Sequence, residues 1–154
     1  MTLYFACLLI VNIVIGLIMY RILFKKRRLF NDRFGMIMSM SISGILSLTI
    51  AMILQFLYAD QIFMMMALTV LIGGGIGVLF GSLVKFQSLL AGFLNGIIGS
   101  LMGNMLAAVV KDPALCSLPA SYLISLEENM VAFSLFGTLL VIMTISLVNY
   151  SLRV

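Results

Sequence analysis

The sequence predicts an all-α integral membrane protein, a bundle of five transmembrane helices with its N-terminus outside and its C-terminus in the cytoplasm. Three observations carry that reading. The 154 residues are 64% hydrophobic and 9% charged, against about 45–50% and about 25% for an ordinary soluble domain. The apolar residues collect into five runs, each near the ~20 residues that cross a bilayer as a helix. The charges stand at the ends of those runs or between them. A soluble chain of this size has no interior large enough for so much apolar surface. The composition therefore excludes a soluble enzyme, a nucleic-acid-binding domain and a disordered protein.

The first span covers residues 3–24 and is interrupted by Asn12 and, near its end, by Arg21. No basic residue precedes it and no small-residue cleavage site follows it, so it reads as an uncleaved anchor. A short basic loop, Lys25 to Arg33, leads to the second span, 34–58, which stops at Ala59-Asp60-Gln61. The third span is 62–84, and Lys85-Phe86-Gln87 is expected to turn the chain tightly into the fourth, 88–110. Lys111-Asp112-Pro113 ends that span, because an ion pair and a proline do not extend a helix through lipid. An external loop, 111–129, follows. Its stretch Ala120 to Glu128 is expected either to lie as a short interfacial helix or simply to precede the fifth span, 130–152. The whole chain, 1–154, is expected to form one transmembrane helical domain. Barrel strands would alternate apolar and polar residues over about 10 positions; these runs are continuously apolar and about twice as long.

Orientation follows from the basic residues. Six of the nine lie between Arg21 and Arg33. With the N-terminus outside, these, Lys85 and Arg153 are cytoplasmic, and Lys111 alone is external. The opposite topology reverses that balance, so the positive-inside rule selects N-out, C-in. The basic cluster is thus a topology signal, and no nucleic-acid partner is expected.

Residues 73–105 hold the clearest pattern. Gly73, Gly77 and Gly81 recur every four residues in the third span, and Gly92, Gly96, Gly99 and Gly103 follow a 4-3-4 spacing in the fourth. At about 100° per residue the second set lies in a stripe roughly 60° wide, which Ser88 extends by one turn. In lipid, helices associate through close backbone approach, which glycine permits. The two spans are therefore expected to form a tight hairpin, glycine face against glycine face, or to keep one face for a second copy. Gly35, Ser39, Ser43 and Ser47 make a softer stripe in the second span. Their hydroxyls can bond to carbonyls one turn earlier and so need no partner, which marks that span as a third member of the packed core. The first and fifth spans, rich in Leu, Ile and Val, are placed nearer the lipid.

No ionisable residue lies centrally in any span, which argues against proton relays and voltage sensing. Asn95 and Asn104 are candidate polar contacts in the membrane, with Asn95 bordering the glycine stripe. Met36 and Met40 share a helix face, and thioethers suit Cu(I), although methionine also serves as apolar filler. Cys7 and Cys116 both fall on the external side, where a disulfide is one outcome and two unpaired thiols the other. With His absent, His triads and His-ligated zinc or haem are excluded. Two cysteines cannot make a four-thiolate site, and no nucleophile–base pair can be assembled. No catalytic residue, no resident metal and no cofactor are expected.

The stretch from Ala91 to Leu106, with Gly92, Gly96, Gly99, Met102, Gly103 and Met105, resembles a Gly/Met-rich helix of small multi-pass membrane proteins of Gram-positive bacteria. That group implies no function to carry over, and Asn95 and Asn104 depart from its pattern. The function expected is that of a non-enzymatic protein of the bacterial cytoplasmic membrane. It would act as a small accessory or self-associating subunit, its partners the bilayer and itself or a larger membrane complex. The alternative is a channel or facilitator for a small solute or Cu(I).

Overall fold

The computed structural model describes residues 2–26, 32–58, 62–112 and 126–152. The described residues form five α-helices: α1 (Thr2–Lys26), α2 (Asp32–Leu57), α3 (Ile62–Gly81), α4 (Phe86–Lys111) and α5 (Leu126–Ser151). All five are long and apolar enough to cross a membrane. At ~1.5 Å per residue even the 20-residue α3 spans about 30 Å, the thickness of the hydrocarbon core.

The helices run up and down. Phe5 of α1 meets Phe56 of α2, while Gly16 lies beside Leu46, so these two are antiparallel. The α2–α4 contacts keep a nearly constant sequence offset, from Ser39 beside Ser88 to Gln55 beside Lys111; α2 and α4 are parallel. One end of the bundle carries Arg21, Lys25, Lys26, Arg33 and Lys85 and is called the basic end below.

Two details differ from the sequence reading. Helix α3 stops at Gly81, and the reversal occupies Ser82 to Lys85, with Phe86 and Gln87 already helical. The reason is local. Gly81 lies against the backbone of Ser88 and Leu89, so the chain must turn immediately beyond it. Val84 N–H reaches back to the Gly81 carbonyl at 3.4 Å, and Lys85 enters α4 with extended backbone. Helix α5 begins at Leu126, with Glu127 and Glu128 in its first turn, where carboxylates offset the positive end of the helix dipole. Residues 113–125, including Cys116, lie outside the described residues.

Helix α2 is the axis of the fold. Of its best membrane-spanning window 61% is buried within the bundle, against 22% for α1 and for α5. Two apolar clusters fill the ends. Met19, Leu23, Met38, Ile42, Phe80 and Val141 pack toward the basic end. Phe5, Met52, Ile53, Phe56, Ala107 and Val110 pack toward the opposite one. Between α2, α3 and α4 the contact layer is made of small residues.

Candidate functional site

The small-residue seam has α4 at its centre. On one side α3 approaches so closely that side chains have no room. A Cβ at Gly92 would fall 2.6 Å from the Gly77 carbonyl oxygen, and one at Gly73 would fall 2.6 Å from that of Gly96. Cβ atoms at Gly77 and Gly96 would collide with the backbones of Gly92 and Gly73 in turn. At Gly81 the obstacle is Leu89 Cα, 2.5 Å away. Three successive turns of α3 are thus in backbone contact with α4, at a separation that only glycine permits.

The other side of α4 belongs to α2, and this is the most extensive helix pair in the structure. Gly99 faces Gly44 and Ser47, and Gly103 faces the Leu48 carbonyl and Ala51. Four glycines within a roughly 60° stripe therefore serve two neighbours, with Gly92 and Gly96 turned to α3 and Gly99 and Gly103 to α2. The serines of α2 also do more than bond back within their own helix. Ser39 Oγ lies 3.0 Å from the Met36 carbonyl and 3.2 Å from that of Ser88, whose own hydroxyl donates to Ser39 Oγ at 2.9 Å. Ser88 Oγ is also 3.2 Å from the Gly35 carbonyl, so two hydroxyl protons are shared among acceptors on both helices. Ser43 Oγ lies 3.1 Å from the Gly92 carbonyl. All three serines are buried. In hydrocarbon such cross-helix bonds average about 0.6 kcal/mol, and here they line a single seam.

The amides extend the seam. Asn95 donates its Nδ2 to the Met40 carbonyl at 2.6 Å, locking α4 to α2 beside Gly44. Asn104 donates to Thr69 Oγ1 at 2.7 Å, and Thr69 donates to the Met66 carbonyl at 2.9 Å; that pair ties α4 to α3 at the end opposite the basic one. There Lys111 Nζ donates to the Gln55 carbonyl in the last turn of α2, an ammonium at the negative end of a helix dipole. The sequence reading had Lys111 as a stop signal and as the one external basic residue, and did not single out Thr69. The lone Thr in the apolar run that opens α3 is the residue a search for an Asn104 partner would have found.

Met36 and Met40 line one open groove of about 590 Å³ with Asn95, Gln87 and Leu94, between α2 and α4 toward the basic end. Both methionines are partly exposed. Among the described residues, no three His, Cys, Asp or Glu side chains converge on one point, so thioether sulfurs and amide oxygens are the available ligands. Cys7 is exposed on α1; its pairing with Cys116 falls outside the described residues. Comparison with family models, with curated proteins and with solved structures finds no match for this chain. What the fold and seam define is a class, a polytopic membrane protein of five apolar helices.

Proposed function

We propose that this protein is a non-enzymatic subunit of the bacterial cytoplasmic membrane that acts as an assembled helical unit, either with itself or as the accessory part of a larger complex. In this reading its N-terminus is outside and its C-terminus inside, an orientation that the basic end supports. One observation carries the reading. The glycines of α3 and α4 are filled by neighbouring helices, Gly73, Gly77 and Gly81 by α4, Gly92 and Gly96 by α3, and Gly99 and Gly103 by α2, which supports a packing role for them over a glycine-lined path. Meanwhile α1 and α5 present long apolar faces outward, including Leu17, Ile18, Phe136 and Leu147. Native mass spectrometry from mild detergent tests the proposal. A homo-oligomer or a complex of fixed stoichiometry is expected, and a monodisperse monomer would overturn it. A C-terminal fluorescent fusion that matures only in the cytoplasm tests the orientation.

A second reading rests on the groove that gathers Met36, Met40 and Asn95, the residues of a facilitator for Cu(I) or a small solute. Reconstituted vesicles should then pass Cu(I) at a rate lowered by the pair Met36→Leu and Met40→Leu. Absence of flux removes this reading.

A further inference from the structure

The open groove between α2 and α4 changes chemistry along its length. On α4 its wall is one helix stripe, Gln87, Leu90, Leu94 and Ile98, with the single methyl of Ala91 leaving room beside it. On α2 the facing wall is Met36 and Met40, whose flexible thioethers adapt to irregular apolar shapes. Both methionines and the three larger aliphatic residues of α4 are exposed, so the groove opens sideways to acyl chains. Asn95 is the one polar side chain deep in it, and its Nδ2 is engaged with the Met40 carbonyl. Gln87 and Ile98 are eleven residues apart, about 16 Å along the helix, which is roughly half of the ~30 Å hydrocarbon core. The groove is as long as one leaflet is deep, and it starts at the first turn of α4.

Its mouth is cationic. Arg33 stands one turn before Met36 on the face that Met36 and Met40 share, and it is exposed. Lys85, also exposed, immediately precedes α4. Because α2 and α4 run parallel, both bring the positive ends of their dipoles to this mouth. The first turn of α4 contains no acidic residue and no side-chain cap. From Arg21 to Arg33 the sequence sets six basic residues against Asp32 alone.

We propose that this groove seats one anionic phospholipid, with an acyl chain along Leu90, Leu94 and Ile98 and the phosphate at Arg33, Lys85 and the exposed amide of Gln87. Charge complementarity selects that lipid. A zwitterionic headgroup carries its own ammonium beside the phosphate and loses most of the attraction to the mouth. A free phosphate has no chain to cover the apolar walls. A lipid of net negative charge matches both ends of the groove. The inference rests on neither reading above, since it needs no second copy and no flux; a seated lipid competes with Cu(I) for the same groove.

The test uses the full chain in mild detergent with phosphatidylglycerol and phosphatidylcholine of identical acyl chains. Bound lipid is counted by native mass spectrometry, and versions with a photoreactive acyl chain map its place. A cationic side chain near the membrane surface contributes about 1 kcal/mol toward an anionic lipid. One or two of them should make phosphatidylglycerol bind roughly fivefold to thirtyfold more tightly. Its label should fall on residues 36–40 and 87–98. Arg33→Gln with Lys85→Gln should bring phosphatidylglycerol down to the level of phosphatidylcholine. Lys25→Gln with Lys26→Gln, at the same end of the bundle but on α1, should leave the preference in place. Ala91→Trp fills the groove and should lower labelling by both lipids. Equal affinity of the wild-type protein for the two lipids would overturn the proposal, as would label spread over α1 and α5 or unchanged labelling in Ala91→Trp. Loss of the preference in the α1 pair as complete as in the Arg33 and Lys85 pair would also overturn it, making the attraction a general property of the basic end. The wild-type comparison and the label map decide even if a variant fails to accumulate.

Discussion

The α2–α3–α4 core and the α1–α5 flank are both apolar enough to cross a membrane but are held by different forces. In the core, glycine and serine bring backbones together, and hydroxyls and amides bridge them at 2.6–3.1 Å. On the flank, large side chains interlock, as with Phe5 against Phe56, ring centroids 5.6 Å apart, and Met19 and Leu23 in the cluster at the basic end. The flank reaches the rest mainly through α2, and it leaves an open groove beside α3. Close backbone packing tolerates no added atom. Side-chain packing has rotamers with which to yield.

That contrast can be broken most severely at the α3–α4 contact. Gly77→Leu drives a side chain into the Gly92 backbone and should cost on the order of 4 kcal/mol or more, seen as loss of accumulation and of a monodisperse peak in detergent. Gly75→Leu, two residues away and facing open space, should leave both unchanged. If the two behave alike, the seam does not hold the core. Next comes the α2 side. Gly99→Ala puts a Cβ against the Gly44 carbonyl, and an overpacking penalty of roughly 1–3 kcal/mol should lower the thermal midpoint in detergent. The serine pair gives a smaller effect. A double-mutant cycle of Ser39→Ala and Ser88→Ala should return a coupling of about 0.6 kcal/mol, and zero coupling would reduce these hydroxyls to back-bonding within their own helices. Gly137→Ala on the flank should change stability least, within about 0.5 kcal/mol. Its Cβ would meet Met52 Cε and Thr49 Cγ2 at 3.2 Å, and the methionine end can move aside.

Much of the site was legible as positions and little of it as partners. The spacing of Gly73, Gly77 and Gly81 marks a face without side chains, but no spacing says which carbonyl fills it. Ser39 and Ser43 look self-sufficient in sequence, because a bond to the preceding turn is always available. That the same hydroxyls also reach Ser88 and Gly92 depends on how near α4 stands. Asn12 is visible in sequence as an amide in an apolar run. That its amide reaches Thr138 on α5 is a property of two helices together, and hydropathy contains no trace of it.

By itself the sequence determined five helices and, to within a few residues, where each begins and ends. Those are local properties, set by the transfer of a ~20-residue segment into hydrocarbon. It also marked α2 as a core member and α1 and α5 as lipid-facing, through the distribution of small and large residues. The tertiary structure decided how neighbours share a face. A stripe roughly 60° wide on α4 is broad enough to touch two helices, and only their positions assign Gly92 and Gly96 to α3 and Gly99 and Gly103 to α2. Helix formation in lipid is settled within each segment, where the backbone bonds to itself. Packing is settled between segments, by which surfaces approach closely enough to exclude everything else.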